Sequence, residues 1–203
     1  MKLYTATRAP NPRRVDIFLA EKGIDIARVE VDINKLEQKT PDFAAMNPLM
    51  RVPVLELDDG TLISESIAIC RYFEETHPEP PLFGMDPVDK ALVEMWQRRI
   101  ELNLMGPVAT VFRHLHPGAA VLENPQLAEW GELNKPRIFE ALDWLDAALA
   151  DRPFVAGDRY TVADISALVA IDFMRPSRLR VPESCANVLR WHGEVSARPS
   201  AAA

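Results

Sequence analysis

At 203 residues the chain has room for one large domain or two small ones, and 48% hydrophobic with 26% charged residues excludes a disordered polymer. Acidic residues outnumber basic ones by 30 to 23, and the net charge of −7 argues against a general nucleic-acid binder. Only two cysteines occur, Cys70 and Cys185, without a C-x-x-C motif, so no disulfide framework is expected and a reducing, cytoplasmic setting is the default. The N-terminus lacks a leader pattern and no apolar run is long enough to span a bilayer, so no membrane partner is expected.

Residues 2–5 form a short strand candidate. Residues 13–21 follow as a helix with Val15, Phe18 and Leu19 on one face and Gly23 beyond its end as a C-cap. Residues 27–33 alternate apolar and polar, which predicts a strand with Val29, Val31 and Ile33 on one side. Residues 36–45 hold a short helix near Lys39-Thr40-Pro41.

Residues 51–66 read as a strand begun on a proline, a tight turn, a second strand and a helix start. Val54, Leu55 and Leu57 are the apolar strand, and Asp59-Gly60 is a hairpin signal. Pro53 cannot donate to a ladder, so it belongs at the strand's start, and an X-Pro bond there is open to the cis form. That geometry would turn the N–H and C=O of Val52 out of the sheet, toward an extended peptide. Ser64-Glu65-Ser66 opens the next helix, whose free amides and dipole favour a carboxylate. A main-chain docking edge beside an anion site suits a small peptide with a free carboxylate.

Residues 65–76 complete a β-α-β-α-β-β-α order, which suggests one mixed sheet with helices packed on it. The proline-rich run from His77 to Gly84 reads as a linker. Helices then take over: 88–115 with a kink at Pro107, 125–150 with Leu133, Ile138, Leu142, Leu145 and Leu149 near helical spacing, 162–174, and 185–197. The expected organisation is an α/β domain over 1–77, a linker over 78–86 and an all-α domain over 87–203. In Thr161-Val162-Ala163-Asp164, a hydroxyl at the N-cap and a carboxylate three residues on make a capping box with a structural role.

Taken in this order, Val52-Pro53, Ser64-Glu65-Ser66 and Thr161-Val162-Ala163-Asp164 resemble the cytosolic glutathione S-transferase superfamily over nearly the whole chain. The resemblance implies a thioredoxin-like N-terminal domain that binds glutathione as co-substrate, a helical domain that builds the acceptor pocket, and a homodimer. It also implies that Val52, next to Pro53, pairs with the cysteinyl backbone of glutathione and that Glu65 and Ser66 hold its γ-glutamyl end. Gln38 matches the position that contacts the glycyl carboxylate, with Lys39 and Arg51 as further candidates and a solvated surface role as the alternative for each.

The chemistry would sit in the loop after the first strand, where related enzymes place Ser-Pro or Cys-Pro to hold the reactive thiolate. This chain has Ala9-Pro10. The Pro10-Asn11 pair is similar to the loop of the bacterial nu-class proteins, which makes Asn11 a candidate donor to the sulfur; the competing reading is a helix N-cap. Thr7 is the second candidate, and Arg13 or Arg14 adds positive field. Tyr4 lies too early to be the catalytic tyrosine of other relatives. Met105, Val108, Phe112 and Arg113 are candidates for the acceptor pocket, for a small hydrophobic electrophile or a disulfide. His114 and His116 lack a third ligand, so no metal site is expected. Cys70 reads as buried and inert. Two functions stay in contention: an enzyme that uses the glutathione thiolate, and a non-catalytic glutathione-binding or scaffold module that Ala9 keeps open.

Overall fold

A computed structural model describes residues 1–7 and 9–203. They form two units, one of Met1–Pro81 with Pro199–Ala203, the other of Leu82–Arg198.

In the first unit, strands β1 (Lys2–Thr5), β2 (Ala27–Glu30), β3 (Val54–Glu56) and β4 (Leu62–Ser64) make one mixed sheet in the order β2-β1-β3-β4. The β1–β2 pair is parallel, while β1–β3 and β3–β4 are antiparallel. Leu3 and Leu55 face each other across the ladder, both fully buried. Helices α1 (Pro10–Lys22) and α3 (Ser66–Thr76) pack together, with Val15, Phe18, Ile69 and Phe73 in the core. Val31, Phe43 and Val54 form a second core cluster with Tyr4, Met46 and Val52 against it.

Several boundaries differ from the sequence reading, each for a local reason. Helix α1 begins at Pro10 rather than 13, because a proline at the first helical position lacks only an N–H that would be orphaned anyway. It ends as expected: Gly23 has φ 66°, its N–H reaches Ala20 O, and Ile24 N–H reaches Leu19 O. Strand β2 stops at Glu30, and all four of its residues are exposed. Asp32 ends the strand signal by accepting from the N–H groups of Asn34 and Lys35, a local alternative to the ladder. The helix expected over 36–45 is a 3-10 turn, Glu37–Lys39, followed by α2 (Pro41–Met46), which Thr40 caps through Phe43 N–H.

The proline-rich segment is held to this unit by Lys22. Its side chain is buried although its backbone is partly exposed. Nζ donates to the carbonyls of His77, Pro78 and Pro80 at 2.8, 3.2 and 2.6 Å and pairs with Glu74 at 2.6 Å. The chain end also returns: Arg13 donates to Ala201 O at 3.2 Å and Ser200 donates to Glu21. The last five residues therefore pack with the first unit, not with the helical domain expected over 87–203.

The second unit contains α4 (Pro87–Ile100), α5 (Gly106–Leu115), α6 (Ala128–Leu149), α7 (Val162–Asp172) and α8 (Ala186–Ser196). Asp86 caps α4 through the N–H groups of Val88 and Asp89. Between α4 and α5 the chain makes a π-helical turn, Glu101–Met105, closed by Gly106 N–H to Glu101 O. Pro107 has no N–H for the ordinary ladder, and this wider turn takes the place of the expected kink. In α6, Ile138, Leu142, Leu145 and Leu149 are buried as their spacing predicts, whereas Leu133 is exposed.

Helix α7 is buried from Val162 through Ile171. Thr161 and Asp164 close the capping box in both directions. Asp164 does more than cap. Its Oδ1 accepts from Val155 N–H at 2.8 Å and Trp191 Nε1–H at 2.9 Å, and its Oδ2 accepts from Thr161 N–H and hydroxyl at 2.9 and 3.1 Å. One carboxyl thus ties together the loop before α7, α7 itself and α8.

Burial pushes the Asp164 carboxyl up from 3.8 to about 6, against the pull of its four donors. A folded pKa raised above the unfolded one stabilises the fold through the protonated form. That contribution is full below about pH 3.8 and is lost as pH rises through about 6, a span worth ~3 kcal/mol. The non-titrating variant Asp164→Asn should therefore show its largest stability deficit near pH 4, narrowing by ~3 kcal/mol by pH 7. Urea unfolding of both proteins across this range checks it; a deficit independent of pH would show a carboxylate ionised throughout.

Candidate active site

Strand register brings three of the sequence-predicted segments to one end of the sheet. Tyr4 pairs with Val54, Val54 pairs with Ser64, and Thr5 pairs with Glu30. The loop after β1, the Val52-Pro53 segment and the start of α3 must therefore emerge side by side. Thr7, in that first loop, is exposed, and its N–H donates to Glu30 Oε1 at 2.7 Å.

The Val52–Pro53 bond is cis. Among the described residues, neither the N–H nor the C=O of Val52 has a backbone partner. The preceding loop is held by Asn47, which sequence reasoning did not single out. It is 3% exposed, its Nδ2 donates to Arg51 O at 2.8 Å, and its Oδ1 accepts from Leu49 N–H at 3.1 Å. The Asn47-Pro48 turn signal was the only trace of this role in the sequence.

Glu65 is exposed and stands at φ 68°, ψ 118° as the residue before α3. Leu36 and Arg178 also have positive φ, but both lie in the ordinary left-handed basin with ψ near 30°. Glu65 lies outside it, a conformation that costs about 1–3 kcal/mol in a non-glycine residue. The strain turns the chain so that α3 begins without a side-chain cap. The N–H groups of Ser66, Ile67 and Ala68 have no partner among the described residues, and Ser66 itself is buried. Three free amides at the positive end of a helix are suited to a carboxylate.

The first turn of α1 is unusual in another way. Ala9 is the N-cap residue, without a side-chain bond, so Asn11 is not the cap. Pro10 and Pro12 have no N–H, and Ala9 N–H is used on Ala6 O. Among the described residues, that leaves Asn11 N–H as a main-chain donor of the turn without a backbone partner. The Asn11 side chain is oriented by Arg14, whose Nη2 donates to Oδ1 at 2.6 Å. A guanidinium only donates, so the amide oxygen must face it and the NH₂ is the end left for a ligand. Arg14 is 6% exposed, buried beneath the residue it orients. Its i, i+3 spacing from Asn11 is the sequence signal for that pairing.

Gln38 is not on a solvated surface. It is 3% exposed, and its Oε1 is buried without a hydrogen-bond partner. Lys39 and Arg51 are exposed. Tyr4 is a sheet side chain as expected, its hydroxyl donating to Glu56 at 2.8 Å. Cys70 is fully buried, and burial pushes its thiol well above the ordinary range, so it is no nucleophile.

In the helical unit, Val108 is fully buried and Met105 is 7% exposed. Phe112 is half-buried, stacked on His116 at 4.8 Å and against Phe173 at 4.9 Å. Arg113 is half-buried and pairs with Glu123 at 3.5 Å. The two histidines are engaged locally: His114 Nδ1 accepts from Leu127 N–H and His116 Nδ1 from Gly118 N–H, both at 3.1 Å.

Known proteins share this fold. The profile for the glutathione S-transferase N-terminal domain matches residues 9–76, and that for the C-terminal domain matches residues 128–194. The chain belongs to the glutathione S-transferase family. It is 38% identical to glutathione S-transferase 2 of Saccharomyces cerevisiae, over 98% of this chain and 87% of that protein. The crystal structure of Gtt2 from the same yeast superposes with a TM-score of 0.94 at 38% identity, covering 98% of each chain. A glutathione S-transferase domain-containing protein from Marinobacter aquaeolei superposes with a TM-score of 0.95 at 39% identity, over 98% of this chain and 99% of that one.

The strain at Glu65 leads to a stability prediction. Glu65→Gly should unfold at or above the wild-type temperature, because glycine reaches this conformation freely. Glu65→Val should lose about 1–2 kcal/mol, since a β-branched side chain fits it worst. Thermal unfolding of the two variants side by side reads the difference.

Proposed function

We propose that this protein is a glutathione S-transferase that binds glutathione at the converging strand ends and uses its thiolate on a small hydrophobic electrophile or a disulfide. In this reading the free N–H and C=O of Val52 pair with the cysteinyl backbone, with Pro53 fixing their direction. Glu65 and the open amides from Ser66 onward hold the γ-glutamyl end, its ammonium and its carboxylate respectively. The buried Gln38 amide serves the glycyl end. The sulfur then lies toward the first turn of α1.

The observation that carries the chemistry is Asn11. It brings a free main-chain N–H and an amide NH₂ oriented by Arg14 to the positive end of a helix. Two donors and a helix dipole favour thiolate over thiol without a protein hydroxyl at Ala9. Thr7 is the supporting donor. The thiolate sulfur forms a bond to the electrophilic carbon and the leaving group departs with the bonding pair; with a disulfide, a new S–S bond forms and the second sulfur leaves as thiolate. Phe112 and Arg113 are the residues we assign to acceptor recognition. A cytoplasmic setting fits the two free, buried cysteines, and no helix among the described residues is long and apolar enough to cross a membrane.

Asn11→Ala is expected to lower turnover of a model electrophile at least tenfold while glutathione affinity stays within a few-fold. Steady-state kinetics beside calorimetric titration separates the two. Unchanged turnover would remove Asn11 from the mechanism. Glutathione binding by the wild type without turnover of an electrophile or a disulfide would favour a binding module instead.

A homodimer is part of this proposal. Helix α4 exposes Val88 and Leu92 on one face, 69% and 43% accessible, an apolar strip of the kind a second copy covers. Size-exclusion chromatography with light scattering should give twice the 22.8 kDa chain mass, and Val88→Glu with Leu92→Glu should shift it to one.

A further inference from the structure

The helical unit contains a charged cluster that glutathione chemistry does not use. Trp96 of α4 is 6% exposed, and two guanidinium groups lie against its ring. Arg152 Cζ is 4.4 Å from the ring centre and Arg99 Cζ is 4.9 Å away. Trp144 of α6 stands 5.8 Å from the same ring. Cation–π attraction accounts for either arginine alone. It does not account for two cations gathered at one site without a counter-charge.

Other arginines in this unit do find carboxylates. Arg98, beside Arg99, pairs with Glu94 and Glu101, Arg159 with Asp89, and Arg190 with Glu194. Arg99 and Arg152 have no carboxylate partner among the described residues, in a chain whose net charge is −7. Asp164 is the acidic group acting on Arg152, but it is fully buried and its oxygens already accept four bonds. Burial and then the charge of Arg99 both lower the Arg152 pKa, which places the two guanidinium groups within each other's field.

Arg152 is also fixed in place. Its Nε donates to Ala148 O at 2.5 Å, at the C-terminal end of α6, and its own carbonyl accepts from Arg190 at 3.3 Å. One edge of the guanidinium is thereby anchored, and the two terminal nitrogens remain as donors. The anchoring explains why Arg152 sits there. Nothing similar explains Arg99, whose side chain is exposed on α4.

We propose that Arg99 and Arg152, backed by Trp96, form a second anion site in the helical unit, one that binds a small oxyanion of phosphate or carboxylate type. Guanidinium groups present parallel N–H donors matched to such oxygens, and one bridging oxyanion would neutralise both. The site is partly open to water, so binding is sensitive to salt.

Intrinsic fluorescence sums four tryptophans, Trp96 among them, so comparison with the Arg99→Gln variant assigns the signal to this site. Inorganic phosphate, titrated at constant ionic strength, should give a saturable change, and sodium chloride over the same range should give none. Acetate, titrated in parallel, distinguishes a general oxyanion site from one selective for phosphate. Arg99→Gln should weaken the response at least fivefold; Arg99 is exposed and serves no cap, so this variant keeps its fold. Arg152→Lys, which retains the charge but not the fork of donors, should weaken it as well. Arg137→Gln is the control, because Arg137 lies over a different indole, Trp130, at 5.4 Å. A wild-type response that survives Arg99→Gln, or that chloride reproduces, would overturn the proposal.

Discussion

The paired register of Tyr4, Val54 and Ser64 across three strands is the constraint on which the candidate active site depends. A shift of one residue in either pairing would turn Leu3 and Leu55 out of the core, so burial protects the register. The same pairing brings three chain segments to one end of the sheet: the loop into α1, the residues before β3, and the turn into α3. None of these segments is regular structure where it would meet a ligand. Each has main-chain groups without a backbone partner among the described residues, and the sheet supplies the rigid support that keeps those groups in place.

Polar anchors do for the loops what the register does for the strands. Asn47 ties down the approach to Val52 with both ends of its amide. Lys22 gathers three carbonyls of a proline-rich segment that has few N–H groups of its own to trade. Asp164 collects four donors at the start of α7, from Val155, Thr161 and Trp191, which would otherwise be buried and unpaired. In all three cases a buried polar side chain is matched by hydrogen bonds to the segments it holds.

What was legible in the sequence follows from how local the physics is. The Gly23 cap, the hairpin at Asp59-Gly60, the capping box at Thr161 and the residue types at Val52-Pro53 and Glu65-Ser66 are written within a few neighbouring positions. The end of β2 was not legible, because the alternation through Ile33 is overruled by Asp32 bonding to its own backbone. Nor was the burial of Gln38, which depends on tertiary packing. Val108 and Met105 fit helical spacing for a pocket as well as for a core, and periodicity alone does not tell the two apart. The return of Pro199–Ala203 to the first unit rests on contacts almost two hundred residues apart in sequence.

The first turn of α1 shows how the local sequence limits which donors stay open. Ala9 removes the hydroxyl, and the two prolines remove two amides from the first turn of α1. With fewer competing donors, the remaining ones are concentrated on a single residue. Arg14 then settles which end of the Asn11 amide faces inward, since its guanidinium can meet only the oxygen. A serine hydroxyl rotates and can donate or accept; this amide is held as a donor.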